Sequence, residues 1–420
     1  MTAKTLGRGK KMVCLSVDDL KNGMVLSEDV LDINARLLIS KGQKITPKQI
    51  RVLKIWGITE VDVVGEKDQT NTETPQADPE IIQEVKESTK EIFKNVDLKH
   101  PAIKEIFELS VDHRCQNHKQ PPIDNIKFQI NENIEDKKRL NLREKIETLK
   151  IKLPEIPSIV NQLNDITADP YASANDIAEI VNKSPSLTAV LLRIVNSAFY
   201  GFPAKIDTVS RAVTLIGSKE ITGLAMGLST MKVFKDIPED IIEMKSFLRH
   251  SLLCGLISRI IASQKNMSRT EQMFVSGLLH DIGRLIVYKY FPDQAKSLLS
   301  SAFNSHQSLY SVENSIIGCR HTDIGKFLLK KWKLSSALES NVHYHHQPSG
   351  AADPLEAGII HIADIISKGL GIGSSGETII PHFDDETWDE LKISPQLFKP
   401  AIDLAVHQLA SLELYFKSDN

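Results

Sequence analysis

From about residue 141 to the end of the chain, apolar residues recur at spacings of three and four, the period of a helix with one buried face. "LREKIETLKI", "SIVNQLNDIT", "ANDIAEIVNK", "SLTAVLLRIVNSA", "TVSRAVTLIG" and "EITGLAMGLSTMKVF" predict helices joined by short turns. Longer ones follow in "SFLRHSLLCGLISRIIASQ", "TEQMFVSGLLHDIGRLIVYKYF", "SLYSVENSIIGCRHTDIGKFLLKKW", "SALESNVHYHHQ" and "PLEAGIIHIADIISKGL". A last pair, "DETWDELKIS" and "PQLFKPAIDLAVHQLASLELYF", falls within residues 384–417. No alternating strand pattern interrupts this stretch. Residues 141–420 are therefore expected to form one large all-α domain, near the upper size for a single core.

The first 65 residues have a different rhythm. "MVCLSV", "MVLSEDVL", "RLLISKG" and "EVDVV" are short, rich in Val, Leu and Ile, and separated by turn signals such as "KNG" and "KGQ". "TPKQIRVLKIWG" predicts one short helix, with Thr46 as N-cap, Pro47 at its first position and Gly57 beyond its end. Residues 1–65 thus predict a small β-rich module. Residues 66–79, "EKDQTNTETPQADP", hold no large aliphatic or aromatic side chain and predict a flexible linker. Residues 80–114 predict a helical segment, and residues 115–140 are polar and irregular, a second linker. The fold class is mainly α, with a β-rich module in front.

Composition narrows the function. A chain of 420 residues calls for two or three domains. Its 41% hydrophobic and 25% charged content is ordinary for a globular protein. The net charge of -3 and the lack of a basic stripe with interleaved aromatics argue against nucleic acid as a direct ligand. Cys14, Cys115, Cys254 and Cys319 lie far apart with no CxxC, which fits a reducing compartment. No stretch reads as a signal peptide or membrane span, so a cytoplasmic protein without a membrane partner is expected.

Histidine placement carries the chemistry. Eight of the 13 histidines fall between residues 250 and 361: His250, His280, His306, His321, His343, His345, His346 and His361. Several sit in apolar helices, where a polar ring needs a partner. Imidazole is the commonest transition-metal ligand, and carboxylates offset the charge of a divalent ion. Helices of a bundle can converge such groups on one point. Hydrogen bonding alone suits His306 and His343 better than a ligand role, and Cys254 reads as a small core residue. Neighbours such as His280 and Asp281 point about 100° apart on a helix, which weakens that pair taken by itself. His361 and Asp364 share a helix face, as a ligand pair or as a supporting pair.

The order His250, His280-Asp281, His321, His345-His346, Asp364 resembles the HD superfamily of metal-dependent phosphohydrolases, closest in layout to its HD-GYP branch, which hydrolyses cyclic di-GMP. "LPEIPSIVNQL", "SPSLTAVLLRIVNSAFYG", "IDTVSRAVTLIG" and "ENSIIGCRHTDIGKFLLKKWKLSSALESNVHYHHQP" resemble the HDOD family, HD-related output domains of bacterial signalling proteins, over about residues 144–370. The resemblance implies an HD-like helical domain. It implies His250, His280, Asp281, His321, His345, His346 and Asp364 as ligands of a divalent Fe, Mn or Zn ion, in a binuclear centre bridged by Asp281. His361 would support the ligands from behind. In an active enzyme Asp281 and Arg284 would be catalytic, Arg284 as a phosphate fork. Two features depart from HD-GYP enzymes: Arg284 replaces a Lys, and the Gly-Tyr-Pro loop is missing from the 17 residues between His346 and Asp364. "NSAFYG" is a family landmark whose Asn196 and Ser197 would satisfy backbone groups at a helix end and whose Gly201 would permit a turn. Ser184 would cap the helix that follows it.

Three readings follow. The first is a regulatory module that binds a metal and signals to a partner protein. The second is a metal-dependent phosphodiesterase or phosphohydrolase acting on a cyclic dinucleotide or another nucleotide. The third is a metal-free scaffold with a relic histidine cluster. Homodimerisation and the identity of the partner stay open.

Overall fold

The computed structural model describes residues 12–17, 20–31, 37–47, 49–50, 53, 58, 60–64, 79–117, 155–197, 200, 202, 204–234 and 236–416. In the front module β1 (Met12–Ser16), β5 (Glu60–Val64) and β2 (Val25–Leu26) form a sheet in the order β1-β5-β2, with Met12 opposite Val64 and Val25 opposite Val64. Strands β3 (Val30–Leu31) and β4 (Leu37–Ile39) pair antiparallel beside a bulge. Leu26, Ile39, Ile45, Leu53, Val61 and Val63 close a small core. Thr46 and Gln49 bond reciprocally at the expected helix start: the Gln49 amide donates to Thr46 Oγ1 at 3.3 Å, and Thr46 N donates to Gln49 Oε1 at 2.9 Å. Gly57, its expected end, lies outside the described residues.

The helices follow the apolar spacing. They are α1 (Pro79–Ile92), α2 (Pro101–Gln116), α3 (Ser158–Ala168), α4 (Ala174–Asn182), α5 (Pro185–Val195), α6 (Val209–Ile216), α7 (Ser218–Met231) and α8 (Met244–Gln264). There follow α9 (Thr270–Leu279), α10 (Ile282–Tyr290), α11 (Pro292–Ser305), α12 (Leu309–Ile317), α13 (His321–Lys331), α14 (Ser336–Tyr344), α15 (Pro354–Leu370), α16 (Asp385–Leu391) and α17 (Phe398–Phe416). Starts obey capping chemistry. Ser173, Ser184, Thr208, Ser308 and Ser335 each accept from a backbone amide of the first turn with the side-chain oxygen. Asn196 holds the end of α5 to residue 206: its side chain donates to Leu192 O and Ile206 O and accepts from Ile206 N, each at 2.7 Å. The Ser197 hydroxyl is buried without a bond, and Gly201 lies outside the described residues. The helix expected in "LREKIETLKI" also lies outside them.

Three expectations need correction. "TEQMFVSGLLHDIGRLIVYKYF" is two helices rather than one, because Asp281 leaves helical geometry at φ -96, ψ 13. "SLYSVENSIIGCRHTDIGKFLLKKW" is likewise two, ended and restarted around Gly318, whose φ of 76° suits glycine. Helix α11 was not read from the sequence at all; its buried Ala295, Leu298, Leu299 and Ala302 are spaced three, four and seven apart within a serine-rich stretch.

One core runs through all of α1 to α17. Helices α1 and α2, expected between two linkers, bury Ile92, Ile103 and Ile106 in it, with Phe93 just past the end of α1. Arg114 of α2 donates from Nε to Gly369 O at 2.7 Å at the end of α15. Helices α8 and α9 cross at Gly255 and Gly277, where a Cβ on Gly277 would sit 2.7 Å from Gly255 Cα. That closeness sets α8, α9 and α15 around one interior space. No helix among the described residues is long and apolar enough to cross a membrane.

Candidate metal centre

The break at Asp281 solves the geometric objection to an adjacent His-Asp pair. On a continuous helix the two side chains would diverge; with the turn between α9 and α10, both face the same interior point. His250 arrives from the first half of α8, His321 from the first residue of α13, His345 and His346 from the end of α14, and Asp364 from α15. All seven are buried, none more than 4% exposed.

They divide into two sets that share one carboxylate. His250, His280, Asp281 and Asp364 form the first; Asp281, His321, His345 and His346 form the second. Asp281 turns Oδ2 towards the first, 3.2 Å from His280 Nε2, and Oδ1 towards the second, 3.0 Å from His321 Nε2. Asp364 Oδ1 lies 3.2 Å from His250 Nε2 and 3.3 Å from His280 Nε2. The Nε2 pairs His250–His280 and His321–His345 are each 3.4 Å apart. Ligand atoms about 2.1 Å from a divalent ion stand about 3.0 to 3.4 Å from one another. Asp281 Oδ1 and Oδ2, Asp364 Oδ1 and both His346 ring nitrogens are buried with no hydrogen bond. Among them, Asp281 Oδ2 and Asp364 Oδ1 face the first set and Asp281 Oδ1 the second, unpaired and buried as metal-ligand atoms would be.

Supporting bonds fix the rings. The Nδ1 of His280 donates to Gly277 O at 2.7 Å and that of His345 to Val342 O at 2.8 Å, leaving each Nε2 turned inward. His321 Nδ1 bonds Glu313 at 2.7 Å, and Glu313 also accepts from His321 N at 2.9 Å. His361 stands behind His345: its Nδ1 donates to His345 O at 2.8 Å, and its Nε2 accepts from Asp384 N at 3.2 Å. Asp364 does not orient His361 by a hydrogen bond; its Oδ2 is held by Lys368, one turn on. Arg284 spends its fork inside the protein, Nη1 on Ser375 Oγ at 3.1 Å and Nη2 on Glu377 at 3.2 Å, with Nε 3.3 Å from Asp281 Oδ1.

Glu313, Lys368 and Glu377 are partners that sequence reasoning missed. Only Lys368 had a local signal, its i,i+4 spacing from Asp364. His306 and His343 stand apart from the centre. His306 is exposed in a left-handed turn at the end of α11, and His343 is half-buried, 3.7 Å from Asp323. Cys254 is buried in the core, its thiol facing Ile360 O.

The buried side chains in direct contact carry four carboxylates (Asp281, Asp364, Glu313, Glu377) beside two permanent cations (Arg284, Lys368), and His280 and His321 add positive charge when protonated. Burial opposes charge throughout. Even so, Arg284 and His280 hold Asp281, and Lys368 and His280 hold Asp364, well below the usual carboxylate range. Burial disfavours an imidazolium at His280, but the charge of Asp281, with Asp364 beside it, outweighs burial and holds His280 well above its ordinary value. Glu313 does the same for His321 to a lesser degree. Desolvation, with cationic neighbours, holds His345 and His346 well below it, and desolvation lowers His250.

These shifts give a pH signature for protein stripped of metal by a chelator. The stability from His280 and His321 is complete below about pH 6.5, their unfolded value, and is lost as pH rises through the raised folded values. His250, His345 and His346 act oppositely: below about pH 6.5 the unfolded chain takes up protons that the folded one excludes. Stability should peak near that pH and fall on both sides, as read from urea midpoints at roughly pH 5 to 9. A flat profile would contradict these assignments.

The fold is a large helical domain with two buried His/Asp sets that share Asp281. A family model described as HDOD domain matches residues 153–348, a little under half of the chain, and over that stretch the chain is similar to the HDOD family. An uncharacterized protein of Treponema pallidum (strain Nichols) is 20% identical over 195 residues, 46% of this chain and 37% of that protein. The match thus spans well under half of that curated relative. The crystal structure of an HDOD domain protein with unknown function from Geobacter sulfurreducens superposes with a TM-score of 0.55 at 18% identity, over 66% of this chain and 98% of that one. It shares the fold. Helices α1 and α2, Asp364 and everything after it lie outside the family match.

Proposed function

We propose that this protein is a regulatory HDOD module whose centre binds a divalent metal, Fe, Mn or Zn, and passes the bound state to a signalling partner. The single observation that carries the reading is Asp281. Its two oxygens are buried, accept no hydrogen bond, and face separate ligand sets. A carboxylate so placed is suited to bridge two ions.

His250, His280, Asp281 and Asp364 would hold one ion; Asp281, His321, His345 and His346 would hold the other. A bound ion would polarise a phosphoryl oxygen and lower the pKa of a coordinated water. The protein's own contribution is orientation: Glu313, Gly277 O and Val342 O fix three rings before any ion arrives. The centre is wholly enclosed, with Arg284 committed to Glu377. That enclosure favours regulation over steady turnover of a nucleotide.

Elemental analysis of protein purified without a His-tag should find Fe, Mn or Zn in stoichiometric amount. Mn²⁺ or Fe²⁺ added to stripped protein at about a thousandfold over Kd should stabilise it by about 4 kcal/mol, a melting shift of several degrees. Absence of co-purified metal together with unchanged melting would sink the reading.

A further inference from the structure

Residues 371–384 join α15 to α16 as a strap drawn across neighbouring helices. Gly371, Gly373 and Gly376 have φ of +68°, +76° and +96°, and a Cβ on Gly373 would lie 2.3 Å from Ser246 O. Glycine alone fits this path. Ser374 N donates to Ser246 O at 3.1 Å, Ile380 N to Ile92 O at 2.9 Å, and the Tyr288 hydroxyl to Ser375 O at 2.7 Å.

At its middle the strap inserts Glu377, 6% exposed. One carboxylate oxygen accepts from Arg284 Nη2 at 3.2 Å, and both lie 3.0 Å from Leu309 N, the first amide of α12. A guanidinium fork beside a helix N-terminus is a pair of donors suited to an oxyanion. Here the oxyanion is supplied by the chain itself. The same Arg284 places Nε 3.3 Å from Asp281 Oδ1, so this subsite adjoins the candidate metal centre. Burial pushes the Glu377 carboxyl up despite Arg284, so its closed position carries a cost.

We propose that Glu377 occupies an oxyanion subsite in place of a ligand, and that a phosphate or phosphate monoester displaces it and frees the strap. A tethered carboxylate has the advantage of high effective concentration. A free ligand that wins must bring more negative charge and a further oxygen for the adjoining centre, as phosphate does. The inference extends the metal reading by naming the ligand class and the element that responds, but the subsite is built from Arg284 and Leu309 N without any ion.

The test is hydrogen–deuterium exchange on the full chain with inorganic phosphate, against potassium chloride at matched ionic strength, both in chelator and with Mn²⁺. Phosphate should speed exchange at the Ser374 and Ile380 amides about tenfold. Glu377→Gln should show that faster exchange without phosphate, and calorimetry should find its phosphate affinity raised about tenfold, since the open state need no longer be selected. Ser375→Ala removes one bond to Arg284 and should shift both readouts the same way, which covers a Glu377→Gln protein that does not fold. A strap response to phosphate in either metal condition supports the proposal. No response in both, or wild-type affinity in the variants, overturns it. Mn²⁺ binding is measured separately, so a failed metal reading stays distinguishable.

Discussion

Asp281→Ala should cost the protein both metal equivalents at once. Every other ligand belongs to one set; Asp281 belongs to both. His346→Ala should therefore lose no more than one equivalent, and the comparison of the two variants by elemental analysis separates a shared carboxylate from two independent sites. The metal-free proteins should also differ in stability. Removing Asp281 leaves Arg284 with one fewer counter-charge and His280 without its strongest one, all fully buried. Breaking a buried charge pair by deleting one partner costs about 3–5 kcal/mol, visible as a lower urea midpoint. An Asp281→Ala protein with full metal content would remove the basis for a bridged centre.

Gly283→Ala should be nearly as damaging, though Gly283 binds nothing. It lies on α10 where α13 begins, and a Cβ there would stand 1.9 Å from His321 O and 2.9 Å from Gly325 N. Both obstacles are backbone, so neither can rotate away. Overpacking in cores costs about 1–3 kcal/mol; with backbone on both sides a loss of about 3 kcal/mol or more is expected. Gly325→Ala, across the same contact, meets a Val342 methyl at 2.8 Å and should cost less because a side chain can shift. Because the clash pushes on His321, Gly283→Ala should also lower metal content. Equal urea midpoints for the two variants would show that α10 and α13 cross less closely.

Much of the centre was legible because imidazole and carboxylate are conspicuous in apolar helices. His250 and His280 stand out in the chain for that reason, the family order adds His321 and Asp364, and Ser184 marks the start of α5. What stayed hidden depends on the third dimension. The break at Asp281 lies in an apolar run whose periodicity continues unbroken across it. Glu313 is eight residues before His321, a separation that means nothing until Gly318 folds α12 back on α13. Glu377 sits in a Gly/Ser-rich stretch that reads as an ordinary loop, and its link to Arg284 spans more than ninety residues.

The depth of the centre sets a clock as well as an affinity. Ions held by the two buried sets from α8, the α9–α10 turn, α13, α14 and α15 would leave only when those helices part. The rate at which a chelator strips them would then follow the protein's own local opening, not the chelator's concentration. A module with that property would retain its loading long after the surrounding supply had changed.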